Sequence, residues 1–219
     1  MSDSTNTFRV AILGAGGFGR EVLDVIEAVT AQSPRFEFIG FVDDHPAHLE
    51  RLEARGAPLL SGLDDPLLEG AHYLVGIGNP SVRRHMADRA DGAGLTAASV
   101  RHPCATFGAL TTVGDGLVAC SHASVTTNIA MGRHVHLNLN STVGHDCVIG
   151  DFVTIYPGAN ISGSVIIGDG VEIGTGASVI QGVTIGKGTV IGAGAVVTRD
   201  LPEHVVAVGA PARPIHATH

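Results

Sequence analysis

"VGHDCVIGDFVTIYPGANISGSVIIGDGVEI", residues 143–173, carries a branched apolar residue at every sixth position: Val143, Ile149, Ile155, Ile161, Ile167 and Ile173. The register continues unbroken to Val113 on one side, through Leu137, Met131, Val125 and Ala119, and to Val197 on the other, through Val179, Ile185 and Ile191. Four residues after each, the positions from Leu117 to Ala195 are mostly Ala, Val, Ile, Thr or Ser, and glycine directly follows the apolar position at 114, 132, 144, 150, 168, 174, 186 and 192. A period of six is neither the 3.6 of a helix nor the 2 of an ordinary strand. It predicts a short strand that points two side chains inward, then a tight corner where glycine relieves the backbone. Three such units close a triangular coil, and stacked coils bury a core that one coil alone would leave wet.

Composition narrows the function. The chain has 219 residues with 21 acidic against 13 basic side chains, a net charge of −8, so the basic footprint of a nucleic-acid binder is missing. Lys187 is the single lysine. No apolar run has the length of a membrane span, and the polar start "MSDSTNTFRV" lacks the regions of a signal peptide, so a cytoplasmic protein is expected. Cys104, Cys120 and Cys147 are unclustered and read as reduced side chains. Among twelve histidines, His134, His136 and His145 lack the spacing of a zinc site, so no metal is expected. His134 and His136 read as outward surface residues.

The first hundred residues differ in kind. "FRVAILGAGGFGREVLDVIEAV" is an apolar strand, a glycine turn and an amphipathic helix starting near Gly19, and Gly14, Gly16 and Gly19 have G-x-G-x-x-G spacing. Amides at such a helix start cradle phosphate. "FEFIGFVDD" is a second strand ending in Asp43 and Asp44, where a Rossmann-like fold places carboxylates for ribose hydroxyls. "HYLVGIGNP" leads into the helical "SVRRHMADRA", and the unit ends near "TAASVRHP". Three or four parallel strands are too few for a complete dinucleotide fold, so a mononucleotide site is the better fit. The expected division is an α/β Rossmann-like domain over 1–102 and the coil with its tail over 103–219.

The segments "GAGGFGREV", "FVDD", "GIGNPSVRRH", "LNLNSTVGHDCVIGDFV" and "VVTRDLPEHVVAVGAPARPI" together resemble the hexapeptide-repeat nucleotide-sugar acetyltransferases of the bacillosamine and sialic-acid type. The likeness spans nearly the whole chain. It implies a left-handed parallel β-helix; the hand comes from the resemblance alone. It also implies acetyl-CoA as co-substrate, a homotrimer with sites between subunits, and O-antigen biosynthesis. GDP-perosamine is the favoured substrate, with UDP-4-amino sugars and the sialic-acid hydroxyl as alternatives. Within the family the histidine of the G-H-D/E segment is the general base, the next carboxylate holds it, and the glycine turn binds the nucleotide sugar. Those roles fall here on His145, on Asp146, and on Gly14, Gly16, Gly17, Asp43 and Asp44, with Asn138 near the site. Some members carry histidines where this chain has Phe18 and Thr154; Thr154 can still donate to an acetyl oxygen.

Repeat arithmetic sharpens the reading of His145. It follows the inward Val143 by two residues, which puts it at a corner facing out, and the same column holds Gly163, Gln181 and Arg199 in successive coils. A glycine above the histidine leaves a groove. With coils stacked about 4.8 Å apart, Arg199 lies roughly 14 Å along it, the reach of a pantetheine arm. Arg199, Arg213 and Lys187 are the candidates for coenzyme A phosphates. An NAD-dependent oxidoreductase would explain the glycine turn but not the coil. A nucleotide-sensing structural protein would explain both but not a histidine below a glycine at a corner.

Overall fold

The computed structural model describes residues 7–218. The reading of the N-terminus as leaderless rests largely on residues 1–6, which lie outside that span. A four-stranded parallel sheet comes first, in the order β2-β1-β3-β4, from β1 (Phe8–Leu13), β2 (Phe36–Val42), β3 (His72–Val75) and β4 (Thr96–Ala97). Val10 to Leu13 are wholly buried, as expected of a strand covered on both faces. The helices are α1 (Gly17–Gln32), α2 (Leu49–Glu53) and α3 (Pro80–Gly92). Val22, Val25 and Ile26 of α1 close one face of the sheet against Ile12 and Phe41, while Met86, Ala87 and Ala90 of α3 close the other against Leu13 and Val75. The α1 helix starts two residues before Gly19, the residue where a Cβ would collide with the Gly14 carbonyl oxygen. The third glycine of the motif therefore serves strand–helix packing. Asn79 caps α3 by accepting from the Ser81 and Val82 amides, with Pro80 at the first helical position.

The remainder is a left-handed parallel β-helix. Each rung pairs with the residue 18 positions on, as in His136↔Thr154, Thr142↔Asn160 and Val148↔Ile166. The first sheet runs from β5 (Val100–Arg101) through Val190–Ile191 and is extended by Val205–Val208 and the antiparallel Arg213–Ala217. The second runs from Thr106–Phe107 to Val196–Val197, the third from Thr111–Val113 to Thr184–Ile185. The inward column from Val125 to Val197 is buried throughout; Val113, at the open end, is partly buried. Every sixth residue from Leu110 to Gly194 takes a positive φ at a corner, and Asn128, His134, Asp146 and Phe152 do so without being glycine.

The N-terminal domain rests on the first sheet, which corrects two expectations. His134 and His136 point away from the coil core as read, yet both are fully buried, because the second domain covers that face. The His134 ring stacks on Phe152 at 4.9 Å and on Tyr73 at 5.8 Å; Phe18 packs on His136 at 4.9 Å. Thr154 lies under the same cover and is wholly buried, its hydroxyl donating to the Gly78 carbonyl and accepting from Arg83. It does not face an acetyl group. Arg83 fastens the domains: its guanidinium donates to the carbonyls of Ile77, Gly78 and Phe152, to the Thr154 hydroxyl and to His136 Nδ1. Burial pushes Arg83 down to about 9, so it stays cationic at neutral pH. A cation held by carbonyl dipoles, with no carboxylate among the described residues bonded to it, ties the interface by hydrogen bonds.

Candidate active site

A cleft of about 400 Å3 opens where the strand ends of the α/β sheet meet α1. Gly14, Gly16, Gly17, Asp43 and Asp44 line it together, with Phe18, Ile77 and Met86 as apolar wall. Gly14 has φ +98, and a Cβ there would press on Ile77 at 2.7 Å, so the turn needs glycine. No side chain caps α1, which leaves its first amides facing the cleft. Asp43 braces the turn: Oδ2 accepts from the Ala15 amide at 2.8 Å and Oδ1 from the His45 amide at 2.9 Å. Asp44 accepts from Arg89 at 2.7 Å, and that bond holds its carboxyl below the usual range.

His145 occupies a different place. Its side chain is 52% exposed at the corner between the second and third sheets, which is the corner opposite the first sheet and its docked domain. The ring lies across Gly163, where a Cβ would stand 2.5 Å from Nε2. His145 Nδ1 is 2.7 Å from Asp146 Oδ2, and Asn128 Nδ2 donates to Asp146 Oδ1 at 2.6 Å. These two bonds, that from Asn128 first, lower the Asp146 carboxyl below its ordinary value. An ionised carboxylate only accepts, so Nδ1 carries the proton and the lone pair of the neutral ring sits on Nε2. Neighbouring side chains usually diverge; Asp146 meets its predecessor because its backbone is left-handed, φ 62.

The other expected site residues are dispersed. Asn138 is buried and donates to the Ile155 carbonyl. Arg199 is exposed just past the last rung of the second sheet, where the register shortens from 18 to 16 residues as Ile185 bridges Leu201, and Arg213 is exposed on the closing hairpin. Lys187 stands at another corner, 3.4 Å from Glu203, in a cleft of about 520 Å3 beside the start of α3. Neither cleft includes His145. Sequence reasoning gave no role to Arg83 or Asn128. Asn128 was legible in principle, since it lies 18 residues, one coil, before Asp146.

Comparison with known proteins accords with both halves. Residues 9–90 match the PglD N-terminal domain and residues 164–199 the bacterial transferase hexapeptide family of six repeats. The chain is 35% identical to the GDP-perosamine N-acetyltransferase of Escherichia coli over 156 residues, 69% of each chain. It is similar to the acetyltransferase domain of PglB from Neisseria gonorrhoeae at 33% identity and TM-score 0.85, covering 94% of this chain and 99% of that one. It is also similar to PerB from Caulobacter crescentus, solved with CoA and GDP-perosamine, at 30% identity and TM-score 0.77, covering 94% and 96%.

Proposed function

The chain belongs to the hexapeptide-repeat sugar N-acetyltransferases with a PglD-type N-terminal domain, and from that premise we propose that it moves an acetyl group from acetyl-CoA to the amine of a nucleotide-linked 4-amino-4,6-dideoxy sugar. GDP-perosamine is the favoured acceptor, by likeness to the Escherichia coli and Caulobacter crescentus enzymes. The product is a building block for O-antigen, made in the cytoplasm. The glycine turn and α1 amides take the diphosphate, and Asp43 and Asp44 retain lone pairs for the nucleoside. We divide the chain into a nucleotide-sugar domain over 1–102 and the coil with its tail over 103–219, with β5 at the end of the first domain pairing onto the coil through Val100 and Val118.

His145 supplies the general base. Its Nε2 accepts the proton that the attacking amine sheds as the C–N bond forms, and the C–S bond of the thioester breaks in the same passage. That proton can then pass to the departing thiolate, so the products are an amide and free thiol. Asp146 supports the transient imidazolium. Arg199, exposed just past the last rung of the second sheet, is one candidate for a coenzyme A phosphate, and Arg213 is a second.

The observation that carries this reading is the His145–Asp146 pair on a corner facing away from its own nucleotide cleft. A sugar nucleotide in that cleft meets a His145 only if another subunit brings it, which is the physical case for a homotrimer with three shared sites. A panel of nucleotide sugars with acetyl-CoA, read by thiol release, tests the substrate. GDP-perosamine should give the highest kcat/KM; preference for a UDP-linked amine or for a hydroxyl acceptor would overturn that choice.

A further inference from the structure

Asn128 and Asp146 are successive residues of one corner column, one coil apart, with matching left-handed backbones of φ 57 and 62. The Asp146 amide already donates to the Thr127 carbonyl at 3.1 Å, so the coils are joined there whatever side chain residue 128 carries. The Asn128 side chain is therefore free for another task. It donates to Asp146 Oδ1, which leaves Oδ2 as the oxygen that meets His145 Nδ1. The Asp146 side chain is 48% exposed, and without that amide its carboxylate turns about χ2 toward water.

We infer that Asn128 is a positioning residue for the transfer: it orients Asp146, which in turn fixes the tautomer and rotation of His145. The inference rests on the general-base reading of His145. A neutral ring with its proton on Nδ1 offers Nε2 to the amine; the other tautomer offers the wrong nitrogen. The other bonds between side chains one coil apart among the described residues, Thr106 to Ser124 and Thr142 to Asn160, end on no titratable group. The Asn128 bond ends on the carboxylate that holds the imidazole.

Asparagine also tolerates a left-handed corner, so the test separates backbone from side chain. Asn128→Gly keeps the backbone and deletes the amide. Asn128→Asp keeps backbone and shape but turns a donor into a charge facing Asp146. Both variants should lower kcat about tenfold, the scale on which outer partners of a functional imidazole act, with KM for either substrate within about twofold. Nitrogen-15 spectra of labelled protein should show a smaller Nδ1-protonated fraction of His145 in each. His145→Ala is assayed beside them. If it loses activity while Asn128→Gly and Asn128→Asp keep wild-type kcat and tautomer, the positioning role is wrong and the general-base reading survives. If His145→Ala keeps wild-type activity, both fall.

Discussion

The two ends of the β-helix solve the same corner differently. From residue 170 to residue 194 every left-handed corner is glycine, at Gly170, Gly176, Gly182, Gly188 and Gly194; His204, past the last full coil, is the exception. Between Leu110 and Ser164, eight of the corners carry a side chain. A non-glycine residue pays roughly 1–2 kcal/mol in that conformation, somewhat less for Asn and Asp. In the later coils nothing offsets that cost. In the earlier coils four corner side chains have a use: His134 and Phe152 stack beneath the N-terminal domain, and Asn128 and Asp146 hold His145. At those four corners the strain is accompanied by a side chain that docks a domain or braces the His145 ring.

His145→Ala should show the largest effect, since it removes the proposed general base. Its kcat/KM should fall by about 10² to 10⁴, with both substrates still binding by calorimetry and the melting temperature little changed, because the ring is half exposed. Loss of folding together with activity would mean that the corner is structural.

The docking corner should respond to acid. Burial, then the charges of Arg133 and Arg83, pull His134 down to about 4, against the opposing carboxylates Asp91 and Asp88. A base whose folded pKa is depressed gives its full stability above its unfolded value, about 6.5, and loses it as pH falls toward 4. The loss should approach about 3 kcal/mol. Urea melts at pH 7 and pH 4.5 should show a shallower dependence in His134→Asn, which tolerates the corner and does not titrate; equal slopes would count against a neutral His134 in the interface.

A smaller effect separates function from strain within one column. Asp146→Gly should cut activity about 10- to 100-fold, while its melting temperature holds or rises because the strained corner is relieved. Ser164→Gly, one coil on, keeps the amide that donates to the His145 carbonyl and removes a side chain with no part in the Asn128–Asp146–His145 bonds, so it should keep activity and gain about 1 kcal/mol or less, the relief being offset by added freedom of the unfolded chain. A clear loss of stability in both would remove the strain argument.

The sequence shows the coil because its period fixes which side chains point inward, and the glycine turn because φ +98 at Gly14 admits little else. It does not show which of three outward faces a second domain will cover. His136 and Thr154 share a rung with the same outward sense as Thr142 and Asn160, yet the first pair is buried and the second is not. Arg83 was hidden for the same reason: a helix pattern cannot say that its guanidinium reaches the Phe152 carbonyl 69 residues away. The His145–Asp146 contact was only half legible, because it depends on the backbone hand at Asp146 rather than on spacing.

The central claim is that one subunit's nucleotide cleft works with another's His145, and co-assembly of two inactive chains tests it. His145→Ala lacks the proposed base. Gly16→Asp puts a charge against the phosphates at a position where a Cβ meets nothing within 4 Å and where a helix favours aspartate as its cap. Co-expressed with different tags and purified as mixed trimers, the pair should recover activity at the sites that combine an intact cleft with an intact base, about one quarter of them for random assembly. Activity no greater than the sum of the two parent variants would contradict a shared site and place the reaction within a single chain.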